Sequence, residues 1–333
     1  MDRRGFLTLT GAAAVAAGAA TTGASPMLAS TPRLRLAVED GYDGVGLGAD
    51  RLARRLEWAT GGRFGIARVR PGEACDFSVG GGERHLALHP GFTFFAALPA
   101  GEGLGLADLA AWLAVGGGQP LWDELAYPFG WKLLLAGHAG DGIGLWSNRR
   151  LEAATDLAGE RVAVRGLLVE VVAALGGHPV SVVPHALKAA LADGSITAAE
   201  SVLPLASAAG DLRALAPRLY RPGLNPAGGV ITLAVARPLW EELTAADRRR
   251  VAACAAEAYG HAVAEVERGR ALAAAVRGTA KWPVLSALPK RLSVAAAEAA
   301  RAVVAAAASH DATSRRIAAS YRAHRARCQA ADA

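Results

Sequence analysis

The sequence predicts an α/β fold with mainly parallel strands, divided into two domains. Three observations carry this. The stretch from Arg161 to Pro204 alternates strand, helix, strand, helix, strand over about 40 residues, the spacing of an α/β unit with crossover helices. At 333 residues and 52% hydrophobic composition, the chain can fill two cores of ordinary size. Glycine clusters such as Gly61-Gly62, Gly80-Gly81-Gly82 and Gly116-Gly117-Gly118 punctuate it at element boundaries, with no internal repeat or low-complexity linker.

The central unit sets the pattern. Val162 to Val164 is a β-branched run, and Gly166 leads into a helical stripe of Leu167, Leu168, Val171, Val172 and Leu175. Gly176-Gly177 ends that helix, because glycine adopts the left-handed conformation at little steric cost. Val180 to Val183 reads as a second strand, Pro184 opens a second helix that ends at Asp193-Gly194, and Ile196 to Ala199 is a third strand. That strand delivers a lone carboxylate, Glu200. Ligands of such sheets sit beyond the carboxyl ends of the strands. Glu200 is therefore a site candidate, with a solvated loop glutamate as the alternative.

Before this unit, Leu34 to Val38, Phe64 to Val69 and Asp76 to Val79 read as strands, and Asp50 to Ala59 as an amphipathic helix. Asp108 to Val115 and Pro120 to Leu125 are helical, while Trp131 to Leu135 and Gly144 to Ser147 are strands leading to the second domain. After the unit, Leu212 to Tyr220 has mixed period and Val230 to Ala236 is a strand. Thr244 with Asp247 forms a capping-box-like start for a long helix whose inner face holds Val251, Ala255, Ala258 and Val263. Alanine-rich helices fill the rest, including Val294 to Ala308 and a basic terminal segment.

Charge excludes one class of function. The net charge of +6 includes +1 from the first 30 residues and +4 from Ala312 onward, leaving +1 for the body. A nucleic-acid-binding body is not supported. No internal stretch reads as long and apolar enough to span a membrane. Asp2-Arg3-Arg4-Gly5-Phe6-Leu7 before a mildly apolar Ala/Gly run looks like a twin-arginine signal peptide over residues 1–29, cleaved after Ala24 or Ala29. Cys75, Cys254 and Cys328 are too few for a disulfide framework, and Cys254 falls on a buried helix face.

Several phrases together resemble the DctP-type solute-binding proteins of tripartite ATP-independent periplasmic (TRAP) transporters, most of all the 2-oxoacid-binding branch. They are Gly91-Phe-Thr-Phe-Phe-Ala-Ala-Leu-Pro99, Ala111-Trp-Leu-Ala-Val-Gly-Gly-Gly-Gln-Pro-Leu-Trp-Asp-Glu-Leu125, Pro128-Phe-Gly130, Asp156-Leu-Ala-Gly159, the Ala190 to Glu200 stretch and Leu239-Trp-Glu-Glu-Leu-Thr244. The resemblance runs from about Leu34 to about Tyr259. It implies a two-lobed Venus-flytrap clamp: lobe I over 30–142, lobe II over 143–229, and a segment 230–333 that returns a strand to lobe I and adds long helices. It implies closure by a hinge on a small carboxylate, handed to a membrane permease in the periplasm, and it names a binding protein rather than an enzyme. Some members dimerise through a swapped carboxyl-terminal helix, so the basic tail is a candidate dimer arm, with a solvated terminal helix as the alternative.

The cleft positions depart from the family pattern. The ligand arginine of the resemblance falls on Ala163, and Arg165 lies two residues on, on the same strand face and displaced by about 7 Å. A guanidinium suits a carboxylate because it donates two parallel hydrogen bonds. Arg165 is thus the candidate anchor, with an ion pair to Glu170 or another surface acid as the alternative. Glu200 matches a glutamate that helps hold a cation in the 2-oxoacid branch, but the neighbouring tryptophan is Ser201 and the completing glutamine aligns with Gly142. A lone carboxylate serves a hard cation poorly, so no cofactor is expected. Gly82-Glu83-Arg84-His85 replaces the first lobe's aromatic contacts, and Leu224-Asn225-Pro226 replaces an element before the last cleft strand. Arg84, Ser201 and Asn225 are therefore candidate donors, and Trp146 a candidate contact beside the interdomain crossing. His85 and His89 lie four apart in an extended pattern, unfavourable for metal chelation, and His178 and His185 read as capping residues. The rival readings are a transport-inactive sensor or structural partner with the same fold, and an exported enzyme, for which no catalytic constellation is present.

Overall fold

Two sheets organise the chain in the computed structural model, which describes residues 33–39, 48–138, 144–201, 212, 214–226, 228–276 and 284–331. The signal peptide reading and the Gly142 position lie outside the described residues. The first sheet has the order β2-β1-β3-β10-β4, from β1 (Arg33–Val38), β2 (Gly65–Val69), β3 (Phe77–Gly81), β4 (Trp131–His138) and β10 (Val230–Ala236). Strands β2 and β3 run parallel to β1 on either side of it, and β10 is antiparallel to both β3 and β4. Residues 70–76 cross over β1 without a helix. Asp76 holds that crossing, its carboxylate accepting the Arg35 N–H at 2.7 Å while its own N–H donates to Arg35 O at 2.9 Å.

The second sheet has the order β11-β9-β5-β8-β6-β7, from β5 (Gly144–Ser147), β6 (Arg161–Ala163), β7 (His178–Val180), β8 (Ala198–Ser201), β9 (Arg218–Arg221) and β11 (Val284–Ala287). The unit read from sequence is its parallel part, since β6 pairs in parallel with β7 and β8. Its crossovers are the helices α4 (Leu168–Ala174) and α5 (Leu187–Ala192). Strand β7 begins earlier than the apolar run suggests and contains Pro179, which an edge strand tolerates because proline lacks only a donor there. Strand β5 is antiparallel to β8 and β9, so the sheet as a whole is mixed.

Helices cover both faces. On one face of the first sheet, α1 (Ala49–Ala59) and the long α7 (Ala245–Val276) bury Leu52, Leu56, Val251, Cys254 and Ala255 against Leu36, Phe77, Val79 and Leu233. Thr244 caps the helix: its Oγ1 accepts the Asp247 N–H at 3.1 Å and donates to the Asp247 carboxylate at 2.7 Å, which also takes Arg63. The short α6 (Arg237–Glu242) precedes it. On the other face, α2 (Leu106–Ala114) and α3 (Gly118–Ala126) pack with an aromatic cluster in which Phe95 stacks on Trp112 and Trp122, centroids 5.0 Å apart in each pair. The glycine run between these helices is sterically required, since a Cβ on Gly118 would lie 2.7 Å from the Trp112 ring.

Helix α8 (Lys290–Ser309) ties the lobes together. Its Leu292, Ala296 and Ala300 are in the second lobe's core, and its Val304 and Ala308 in the first lobe's. By length and composition this helix qualifies as a membrane span, which corrects the sequence expectation that no stretch would. One face of it is committed to the two cores. The terminal α9 (Ala312–Ala331) buries Ile317, Ala318 and Tyr321 against the first lobe. Tyr321 Oη accepts the Leu104 N–H at 2.7 Å, and Trp112 Nε1 donates to Ser320 Oγ at 3.1 Å. One face of the tail helix packs against the first lobe of its own chain, and the rest of it is largely exposed.

Candidate functional site

Topology places the site. In the second lobe β7 and β8 flank β6: α4 carries the chain from β6 to β7 on one side, and α5 returns it past β6 to β8 on the other, which opens a crevice at the carboxyl end of β6. Arg165 and Gly166 sit there, just past the strand. In the first lobe β2 and β3 flank β1 in the same way, and the residues just past those strands are Glu39 and the turn Gly82–His85. Between the two lies a cleft of about 520 Å³ including its open mouth, lined by Glu83, Ala97, Arg165, Leu168, Asn225 and Gly229 among others. Ala97 (φ 26°) and Ala100 (φ 52°) hold left-handed backbone without being glycine. Such strain is retained where surrounding structure fixes it and gathers at functional sites. The Ala100 N–H donates to Leu224 O at 2.9 Å, joining the first lobe to the loop that carries Asn225.

The candidate residues divide into three groups. Arg165 and Asn225 line the cleft. Arg165 pairs not with Glu170 but across the cleft with Glu83, Nη1 to Oε1 at 3.9 Å. Asn225 donates its side-chain N–H to Gly228 O at 2.7 Å, which leaves Oδ1 buried without a hydrogen-bond partner.

Glu200 and Arg84 act behind the cleft. The Glu200 carboxylate accepts the Leu224 and Asn225 backbone N–H groups, each at 3.0 Å, and fills the space that a Cβ on Gly223 would need. It thus holds the Asn225 loop through its backbone. The residue is not fully closed off, yet dense protein around its carboxyl pushes the pKa up to about 7, and the two N–H bonds only partly offset that. Arg84 folds back on β3, donating to Ser78 Oγ at 2.9 Å and Ser78 O at 3.2 Å, with Thr232 Oγ1 at 3.5 Å.

Trp146 does not reach the cleft. It is 0% exposed, packed among Ala163, Leu187, Leu191 and Leu219. The expectation took it for an interdomain residue, but alternation along β5 sends Leu145 and Trp146 to opposite faces of a sheet covered on both sides. Ser201 ends β8 beside Glu200.

Two residues of the site were not singled out in the sequence. Glu83 faces Arg165. Glu39 accepts the Gly81 N–H at 3.1 Å, and its pKa is raised first by burial and then by Glu83, with Arg84 and Arg165 opposing. A carboxylate just past a strand, the signal that marked Glu200, marks Glu39 equally well.

Neither histidine of the 85/89 pair faces the cleft as a metal ligand. His85 is 5% exposed, its pKa pushed down to about 4 by burial and then by Arg84. Among the described residues, His89, His310 and Asp311 form the one group of three with metal-binding atoms in mutual reach. His89 Nδ1 accepts the Gly91 N–H at 3.0 Å, so in the neutral ring Nε2 carries the proton and donates to Asp311 Oδ2 at 3.0 Å. A metal-ligating histidine donates from its second nitrogen, the reverse of this arrangement. The cation that the resemblance implies at Glu200 does not fit either: both oxygens face backbone donors, and a hard cation needs several oxygens.

Two sheets facing each other across a cleft, tied by a bridging helix, are the architecture of two-lobed solute-binding proteins. The chain has the fold of TRAP periplasmic solute-binding proteins and is a distant homologue of a monocarboxylate 2-oxoacid-binding periplasmic protein of Nostoc sp. (strain PCC 7120). That relative is 27% identical over 240 residues, covering 67% of this chain and 65% of its own length. The chain thus spans just under two thirds of the curated relative it matches. A TRAP periplasmic solute-binding protein from Pseudoalteromonas atlantica T6c, solved with bound sodium and pyruvate, superposes with a TM-score of 0.80 at 19% identity, over 90% of this chain and 95% of that one. A TRAP transporter solute-binding protein from Bordetella bronchiseptica RB50, a mixed-occupancy dimer with a calcium- and picolinate-bound site and an apo site, gives 0.78 at 23% identity, over 88% and 91%. No protein-family profile matches the chain.

Proposed function

We propose that this protein is the extracytoplasmic solute receptor of a TRAP-type transporter, capturing a small carboxylate in the cleft between its lobes. The observation that carries this reading is the position of Arg165 at the second lobe's switch point, facing the first lobe across the cleft with Asn225 beside it. A guanidinium there anchors a carboxylate by paired hydrogen bonds, and Asn225 supplies a polar contact whose loop Glu200 holds in place. Two of the relatives bind small carboxylates, a 2-oxoacid by name in one case and pyruvate with sodium in another. Periplasmic location follows from the same relationship, and export of the folded chain by the twin-arginine route from the amino-terminal arginine pair. Lobe closure presents the loaded protein to a membrane permease. A dimer is supported by one structural neighbour.

Thermal unfolding against a panel of small carboxylates tests the proposal. A ligand at a hundred times its dissociation constant adds roughly 2.7 kcal/mol to stability, a clear shift in midpoint. Silence across the panel would overturn the carboxylate assignment and favour a sensor or structural role for the same fold.

A further inference from the structure

A second cavity opens on the first lobe and shares no lining residue with the interlobe cleft. Strand β4 is an edge of the first sheet. Helix α7 packs over one face of that sheet and α2 and α3 over the other, and along β4 the two layers stand apart. The gap is a groove of about 1090 Å³ including its open mouth, against about 520 Å³ for the cleft. Leu134 and Leu135 of β4, Leu113 of α2, and Ala252 and Ala256 of α7 line it. An apolar lining with a few polar groups gathered in one place is the make-up of a small-molecule site.

The two ends of the groove differ. At one, Lys132 Nζ lies 5.4 Å from the centre of the Trp240 ring and the Arg248 guanidinium 5.9 Å from it, with Arg249 next along α7. Asp123 takes Lys132 at 2.5 Å. Arg248 is held by backbone carbonyls, Trp240 O at 2.7 Å and Glu241 O at 2.8 Å, which leave its charge in place. Among the described residues no Asp or Glu lines the groove. At the other end Tyr259 Oη donates to Leu106 O at 2.6 Å and ties α7 to the start of α2. From Arg248 to Tyr259 the helix rises about 16 Å. Edge strands recruit extended peptides through their outer carbonyl and amide groups. Here Gln119 Nε2 already donates to Leu133 O at 2.9 Å, so that acceptor is taken. The groove suits an occupant that needs no backbone hydrogen bonds.

We propose that the groove binds a free fatty acid of medium chain length, its aliphatic chain lying along α7 and its carboxylate at the Trp240 end among Lys132, Arg248 and Arg249. Each methylene removed from water adds to affinity. The carboxylate neutralises an end that holds more cations than anions. The site is separate from the solute cleft and does not depend on what the cleft binds.

Octanoate, decanoate and dodecanoate, each below its micellar concentration, are titrated calorimetrically into the purified protein, with 1-decanol as the uncharged control. One saturable site is expected, with affinity rising about fourfold per methylene and the alcohol about tenfold weaker than decanoate. Ala256→Trp fills the groove from an exposed position and is expected to abolish binding with the circular dichroism unchanged. Arg249→Gln is expected to weaken decanoate about threefold or more while leaving the alcohol as it was. Arg165→Ala, which alters only the cleft, is expected to bind decanoate as the parent does. Affinity that ignores chain length, an alcohol as tight as the acid, or undiminished binding in Ala256→Trp overturns the proposal. Loss of binding in Arg165→Ala does too, because it moves the acid to the solute cleft. No binding by any of the acids overturns it and leaves the groove to a polypeptide partner.

Discussion

Replacing Glu200 by glutamine tests how the cleft loop is held. The carboxyl accepts two backbone N–H groups at 3.0 Å, yet its surroundings raise the pKa from 4.5 to about 7. Between those values the folded protein keeps a proton that the unfolded chain has released. The group therefore adds stability as pH falls from 8 towards 5, and that contribution is lost again as pH rises through 7. The displacement corresponds to about 3 kcal/mol over the full range. Glutamine does not titrate. Urea unfolding of the protein and of Glu200→Gln at pH 8, 6.5 and 5 should show the variant's stability relative to the parent highest at pH 8 and lower by up to about 3 kcal/mol at pH 5. Comparison at each pH cancels the titration of every other group. A difference that does not change with pH would refute the argument, because it would mean that Glu200 ionises as a solvated carboxylate does and that water reaches behind the Asn225 loop.

Three further outcomes are expected. His85, with a pKa pushed down from 6.5 to about 4, stays neutral where the unfolded chain takes up a proton, so it lowers stability as pH falls through that window. His85→Asn should flatten the acid limb of the stability curve between pH 6.5 and 4, and an unchanged limb would place the charge elsewhere. Tyr321→Phe strands the buried Leu104 N–H that Tyr321 Oη now satisfies, at a cost of about 1–3 kcal/mol in urea unfolding; a neutral outcome would detach the tail helix from the first lobe's core. Gly118→Ala puts a Cβ 2.7 Å from the Trp112 ring and should cost about 1–3 kcal/mol. The near-ultraviolet circular dichroism of the Phe95 stack should change with it, and parental values in both measurements would contradict the close packing.

The architecture was largely legible in the sequence. Local signals and long-range packing agree in the β6 to β8 unit, in β10 and in the Thr244–Asp247 cap. The parts that escaped depend on partners distant in the chain. Strands β9 and β11 are short, and among the described residues their ladder partners are each other and, for β9, β5, so neither periodicity nor propensity marks them. The first sheet is mixed because β10 arrives antiparallel from far along the chain, which no local pattern records. In the site, Arg165 and Asn225 were visible through the family pattern. The pairing of Arg165 with Glu83 was not, because it joins two lobes through residues unremarkable in their own segments. Trp146 misled for the same reason: a four-residue strand buried on both faces has no alternation to read.

The central claim is that Arg165 anchors a carboxylate between the lobes. Its most direct test is calorimetric titration of alanine, pyruvate and their longer homologues into the protein and into Arg165→Ala. The account predicts saturable binding of at least one of them to the parent protein, with affinity reduced at least about 30-fold in the variant, since a charge-paired contact of this kind is worth roughly 2 kcal/mol or more. Binding of equal strength to both proteins would place the ligand away from the switch point of the second lobe and contradict the account.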